Sequence, residues 1–156
     1  MFDELSKYTH NGHFFLKSTD NLKAVCNAPI DKSGVYVVYA LKKGKIELVY
    51  IGRSGKQEKD GSILIRKAGL GGMMDRIVNG HQFGKVPRRI SWINIIKQEN
   101  IEALDVYWYV THNAVFLDCP RSIENKLLNK YFDVYGRLPV WNKELCFHRC
   151  REFSVA

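Results

Sequence analysis

The sequence predicts an α+β domain, with a sheet that is at least partly antiparallel and helices packed against it. Three observations carry that expectation. The stretch from Ser33 to Ser54, SGVYVVYALKKGKIELVYIGRS, is two β-branched and aromatic runs joined by a short glycine-containing turn, the pattern of a hairpin. The segment Leu104 to Val110, LDVYWYV, alternates as a strand does. Three further segments place apolar residues at helical spacing.

In the hairpin, Lys42-Lys43-Gly44 suits a three-residue loop with Gly44 in the left-handed region. That loop pairs Leu41 with Lys45, Tyr36 with Tyr50 and Gly34 with Gly52. The two phenols then lie side by side on one face, each next to a glycine that leaves room for something to approach the backbone. A two-residue loop at Lys43-Gly44 pairs Tyr36 with Ile51 instead, so two registers stand open. Taken alone, the tyrosines read as a cross-strand packing pair.

The remaining elements follow in order. Phe2 to Tyr8 suggests a short helix and His13 to Leu16 a short strand. Asp20 is placed to cap a helix through Leu22 and Val25, ended by Pro29. Residues 55–72 form a polar, glycine-rich connection, long enough to be a functional loop or an insertion. Met73 to Asn79 reads as a helix, with Met73/Ile77 and Met74/Val78 at i, i+4 and Gly80 as its stop. Pro87 suits the first turn of a helix through Gln98, with Ile90, Ile93 and Ile96 inward and Arg88, Arg89 and Lys97 as basic decoration. In the strand after it, Leu104, Val106, Trp108 and Val110 take one face, and Tyr107 and Tyr109 the other. A last helix from Ser122 to Tyr135 carries Ile123, Leu127, Leu128, Tyr131 and Phe132 as its apolar stripe and ends at Gly136 and Pro139. Trp92 and Trp141 read as core, and His10, His13 and His112 show no legible role.

A chain of 156 residues suits a single domain, with 1–32 as a lead-in packed onto 33–156. Its 24 Lys and Arg exceed its 16 Asp and Glu, giving a formal charge of +8 and favouring an anionic partner, nucleic acid foremost. No apolar run reaches the ~20 residues of a membrane span. The first residues, MFDELSKYTH, lack the layout of a signal peptide, so the expectation is a cytoplasmic protein with no membrane partner. Cys26, Cys119, Cys146 and Cys150 are then free thiols. The Cys146/Cys150 pair has no second ligand pair at finger spacing, which argues against zinc.

Gly34-Val35-Tyr36 and, after the hairpin, Tyr50-Ile51-Gly52 resemble the two signature triplets of the GIY-YIG nuclease superfamily. The likeness extends downstream in order. Arg76 sits on the helix after the hairpin, where the family carries its catalytic arginine. Glu124, in SIENKLLNKYF, stands where the family carries its metal-binding glutamate, and Asn142, in PVWN, resembles its closing asparagine. The similarity spans about residues 33–142. It departs from the pattern at Val35, where the family has isoleucine, and in the long segment between Gly52 and Arg76, which makes Arg66 a rival for the arginine. His81 follows Arg76 by five residues across Gly80, where some relatives carry a histidine one turn on.

The resemblance implies a small, mainly antiparallel three-stranded sheet with flanking helices. It also implies a metal-dependent DNA endonuclease that hydrolyses phosphodiesters at a one-metal site, in a restriction, repair or mobile-element role. The residue chemistry agrees. A carboxylate such as Glu124, with waters and substrate phosphate, is the usual way Mg²⁺ or Mn²⁺ is held, and the chain shows no carboxylate cluster for a second ion. Arg76 offers a fixed cationic fork to phosphate. Tyr36, with Tyr50, activates or orients water. As a base it needs cations to lower a pKa near 10; otherwise His81 or bulk water takes the proton. Gly34 and Gly52 leave backbone open to substrate, and Arg53, Lys56, Arg66, Lys67, Arg88 and Arg89 are candidates for the DNA backbone. Asn142 reads as a brace after the last helix as well as a member of the site. Cutting both strands would call for a homodimer. The alternative reading is a non-catalytic nucleic-acid-binding module on the same fold.

Overall fold

The computed structural model describes residues 1–142; the Cys146/Cys150 pair lies outside the described residues. The hairpin joins β2 (Gly34–Lys42) to β3 (Lys45–Ser54) through two residues, Lys43 and Gly44, both at positive φ (52° and 72°). This is the mirror-image turn whose twist matches that of paired strands. The three-residue loop is therefore not formed, and Lys42 faces Lys45. The register then shifts between Val38 and Tyr39: Tyr39 faces Leu48, Val38 faces Tyr50, and Val49 is the extra residue of a bulge. Beyond it Tyr36 faces Gly52 and Gly34 faces Ser54. Both expected registers are overturned, yet the shared face survives. Without the bulge a two-residue turn sends Tyr50 to the face opposite Tyr36, because the side-chain period is two. The inserted Val49 brings it back.

The sheet has four strands, in the order β1 (Asn11–Leu16), β6 (Ala103–Val110), β2, β3, antiparallel throughout. The three-stranded expectation falls one short because the lead-in strand β1 pairs with the free edge of β6. A separate ribbon of β4 (Lys56–Gln57) and β5 (Ile63–Leu64) occupies the long connection.

Helices cover both faces. On one, Tyr36, Val38, Val49, Tyr50, Leu104, Val106, Trp108 and Val110 pack with α1 (Leu22–Val25), α2 (Gly72–Asn79) and α3 (Arg88–Gln98). On the other, Val35, Val37 and Ile51 meet Ile123, Leu127 and Leu128 of α4 (Pro120–Tyr135) and Leu5 and Tyr8 of the lead-in. The alternation of β6 falls as read, with Tyr107 and Tyr109 on the α4 side.

Several local expectations shift. The first helix shrinks to a 3-10 turn at Asp3–Leu5. Asn21 caps α1, accepting from the Lys23 N–H at 3.0 Å, while Asp20 accepts from the Lys17 N–H. In α3 the inward face is Arg88, Ser91, Trp92 and Ile96, and Ile90 is exposed. Phe132 of α4 is also exposed.

Candidate active site

Tyr36 and Tyr50 lie on the α2/α3 face with ring centroids 6.0 Å apart. Their glycines serve the fold from within. A Cβ on Gly52 would stand 2.5 Å from the Tyr36 Cζ, and one on Gly34 would stand 1.9 Å from the Tyr109 carbonyl oxygen. The approach reserved by Gly52 is thus taken by the Tyr36 phenol itself, and that reserved by Gly34 by the neighbouring strand. The Tyr36 hydroxyl is buried and has no hydrogen-bond partner among the described residues.

Beside both rings sits Arg88, buried to 1% exposure. Its guanidinium carbon is 5.6 Å from the Tyr36 ring centre, 5.4 Å from that of Tyr50 and 5.6 Å from that of Trp92. It donates through Nη1 to the Arg76 carbonyl at 2.6 Å, through Nε to Gln82 at 2.9 Å and through Nη2 to the Tyr50 hydroxyl at 3.3 Å. No carboxylate pairs with it among the described residues. A buried charge must be compensated; here the C-terminal carbonyl of α2, an amide oxygen and three ring faces do so. This overturns its reading as surface decoration and as a contact for the DNA backbone.

Arg88 also orients Tyr50. The Tyr50 oxygen accepts from Arg88, which leaves its own O–H to donate elsewhere. Burial pushes the Tyr50 hydroxyl pKa up, as do Tyr36 and Glu124; Arg88 and Arg76 pull it down without reversing the sum. Tyr50 is therefore a neutral donor at ordinary pH. Charges on three helices, Arg76 of α2, Arg88 of α3 and Glu124 of α4, act on this one hydroxyl, and Arg88 alone bonds it.

Beyond the bulge end of β3 lies a cleft of about 560 Å³ lined by Arg53, Lys56, Arg66, Lys67 and Arg76, with Ser54, Gly55, Leu64 and Ile65. The long connection forms one wall of it. The two rival arginines differ in their partners. Arg66 is paired through Nε with Asp75, a buried carboxylate that also accepts from the Leu70 N–H at 2.9 Å and from Asn79 at 2.8 Å. Burial pushes the Asp75 carboxyl up, but these hydrogen bonds outweigh it and hold it below the usual range. Arg76 faces the same cleft, and no carboxylate pairs with it among the described residues.

Glu124 comes from α4, on the opposite face of the sheet, and is buried at 4% exposure. Its carboxylate lies 3.7 Å from the Arg53 guanidinium. It therefore reaches, through Arg53, the edge strand β3 that carries Tyr50. Asn142 grips that strand: its Oδ1 accepts from the Ile51 N–H and its Nδ2 donates to the Ile51 carbonyl, both at 2.9 Å. It thus satisfies the open edge of the strand between Tyr50 and Gly52. His81 is exposed just past α2, where its backbone bridges to Pro87.

The structure gathers Tyr36, Tyr50, Arg76, Glu124 and Arg53 around one end of β3, with Lys56 and Arg66 along the cleft and Asn142 as a brace. Sequence reasoning missed Arg88 and Asp75. The Pro87-Arg88 start of α3 carried no sign of burial. Asp75, adjacent to Arg76 and nine residues after Arg66, was a legible partner for one of the two arginines. Among the described residues no three His, Cys, Asp or Glu side chains form a metal-binding group. The donor set at Glu124 fits a hard cation held by one carboxylate, with water and phosphate completing its shell. Compared with protein-family models, curated proteins and solved structures, the chain matches none.

Proposed function

We propose that the protein is a metal-dependent DNA endonuclease of the GIY-YIG type. The observation that carries this reading is a basic cleft lined by Arg76 and by Arg53, whose guanidinium lies 3.7 Å from the buried Glu124 carboxylate, at the end of the strand that carries Tyr50. Phosphodiester hydrolysis needs a positioned water and fixed positive charge at the equatorial oxygens. Arg76, paired with no carboxylate among the described residues, faces the cleft and neutralises phosphate charge. Tyr50, its oxygen engaged by Arg88, donates its proton in a hydrogen bond to a phosphate oxygen. A water at the Tyr36 hydroxyl would satisfy that orphaned group, and Tyr36 then orients the attacking water. The Arg53 guanidinium lies 3.7 Å from the Glu124 carboxylate, and Glu124 is the residue that would hold Mg²⁺ or Mn²⁺. When bound there, the ion supplies charge neutralisation at the scissile phosphate. Lys56, Lys67 and Arg66 line the path of the DNA backbone. His81, exposed beyond α2, is given no part.

The buried Tyr36 hydroxyl and the Arg53–Glu124 pair also suit a second reading, a nucleic-acid-binding module that does not cut. A plasmid-nicking assay separates the two. The expected outcome is nicked circles with Mg²⁺ and none with EDTA, while Glu124→Ala retains DNA affinity and loses nicking by a factor of about a thousand or more. Nicking by Glu124→Ala at the unsubstituted rate sinks the mechanism. DNA binding without cleavage in Mg²⁺ or Mn²⁺ leaves the binding module.

A further inference from the structure

The described residues cover the α4 face of the sheet only in part. Over Val35, Val37 and Ile51 it is sealed by α4. Toward the hairpin turn and the β1 edge it opens into a groove of about 240 Å³ lined by Phe15, Tyr39, Leu41, Ile46, Asp105, Tyr107 and Tyr109. Phe15 is 53% exposed and Ile46 is 73% exposed, against a usual preference for burial. These side chains stand at alternating positions of four adjacent strands, so the groove is a property of the sheet face and not of a loop.

Its walls are aromatic and already arranged as rings prefer. Tyr39 meets Tyr107 edge to face at 5.7 Å, His13 stacks on Tyr107 at 4.8 Å with planes 9° apart, and His13 meets Phe15 edge to face at 5.5 Å. One charged group points among them. The Asp105 carboxylate has one oxygen 2.9 Å from the His13 Nδ1. A flat ligand with N–H groups on its edge matches this set: π faces for its plane, a carboxylate for its donors. The chain's charge of +8 selects polyanions. Close in sequence to the lining residues are Lys17, two positions after Phe15, and Lys43 and Lys45 at the hairpin turn before Ile46, none in an ion pair among the described residues; Lys42 lies 4.0 Å from Glu99.

We propose that this groove binds an unpaired base of single-stranded nucleic acid, stacked on the tyrosine and phenylalanine rings and read at its edge by Asp105. Stacking on aromatic side chains tolerates any base; the carboxylate adds a preference. Guanine presents an imino and an amino N–H side by side, which a carboxylate accepts together, whereas thymine presents one imino N–H between two carbonyls. Guanine is therefore favoured over thymine. The site is separate from the cleft beside Tyr50, and its occupancy does not depend on whether the chain cuts DNA.

Fluorescence anisotropy tests this on the full chain, using short labelled thymidine oligonucleotides with and without one central guanosine, their RNA counterparts and a duplex control. The guanosine oligonucleotide is expected to bind about fivefold tighter or more. Asp105→Asn should erase that preference, and Phe15→Leu with Tyr107→Leu should weaken both single strands while sparing the duplex. Equal binding of the two oligonucleotides by the unsubstituted protein, or an unchanged preference in Asp105→Asn, overturns the proposal. So does a groove filled by tetramethylammonium, seen in tyrosine fluorescence, that no oligonucleotide displaces. Self-association that disappears in Phe15→Leu while single-strand affinity stays constant would make the face a contact between copies and likewise overturn it. If the aromatic variant fails to fold, the isosteric Asp105→Asn variant, at a half-buried position, decides.

Discussion

Two sets of aromatic rings lie on opposite faces of the same sheet, and they differ in what stands over them. Tyr36 and Tyr50 are closed in by α2 and α3, with a buried guanidinium against both rings. Tyr39, Tyr107 and Tyr109 are half-buried, line an open groove and have a carboxylate beside them. Tyr36 and Tyr39 are three residues apart on β2, so the period of two alone sends them to different faces. The cation and the carboxylate then give the two sets opposite chemistry. The closed set is built to hold a phenol in one orientation, and the open set is built to accept a ring from outside.

The largest effect expected from this contrast is on stability. Arg88→Ala removes three donors from acceptors that burial has cut off from water, and it opens a cavity beneath Tyr36, Tyr50 and Trp92. A loss of roughly 3–5 kcal/mol is expected. Tyr107→Ala, on the open face, should cost about 2 kcal/mol or less. Urea denaturation of both variants reads the difference directly. Comparable losses would mean that Arg88 is not sealed in as described.

How far the sequence foretold this contrast depends on the range of the determining contacts. Strand β6 was legible because its in–out alternation is local: Leu104, Val106, Trp108 and Val110 point one way by the period alone. The bulge was not, since KIELVYIG is an unbroken strand-forming run and nothing in it marks Val49 as the extra residue. Arg88 was illegible for a stronger reason. Its burial is set by Tyr50, 38 positions away, and by the Arg76 carbonyl, 12 away, so a helix-start arginine after proline looks like any solvated one. The positions of Arg76, Glu124 and Asn142 came from the family likeness. What each touches came from the structure, including the finding that Arg66 is paired with Asp75 and Arg76 is not.

A middle-sized effect tests the packing of the closed set. Gly52→Ala forces a methyl against the Tyr36 ring, and such overpacking costs about 1–3 kcal/mol. If the clash with that ring is the cause, the cost of Gly52→Ala should nearly vanish in a Tyr36→Leu background, which moves the obstructing atoms away. A double-mutant cycle by thermal unfolding measures this. An unchanged cost in that background would place the strain in the backbone instead.

The smallest expected effect on stability carries the most information about role. Tyr36→Phe deletes a hydroxyl that is buried without a partner among the described residues, so the folded state loses no hydrogen bond between them and sheds a desolvated polar atom. Stability should hold or rise, by up to about 1 kcal/mol. Under the proposed endonuclease activity the same change removes the group that orients the attacking water, and nicking should fall by a factor of about a hundred. These opposite signs are the signature of a group kept for chemistry at the expense of packing. A hydroxyl that serves the fold gives the reverse: stability falls by about 1 kcal/mol or more and nicking does not change. Tyr50→Phe supplies the internal reference. Its hydroxyl accepts from Arg88, so its loss leaves a buried donor unsatisfied and should lower stability where Tyr36→Phe does not. Two phenols 6.0 Å apart on one sheet face would then be separated by the sign of their effect alone.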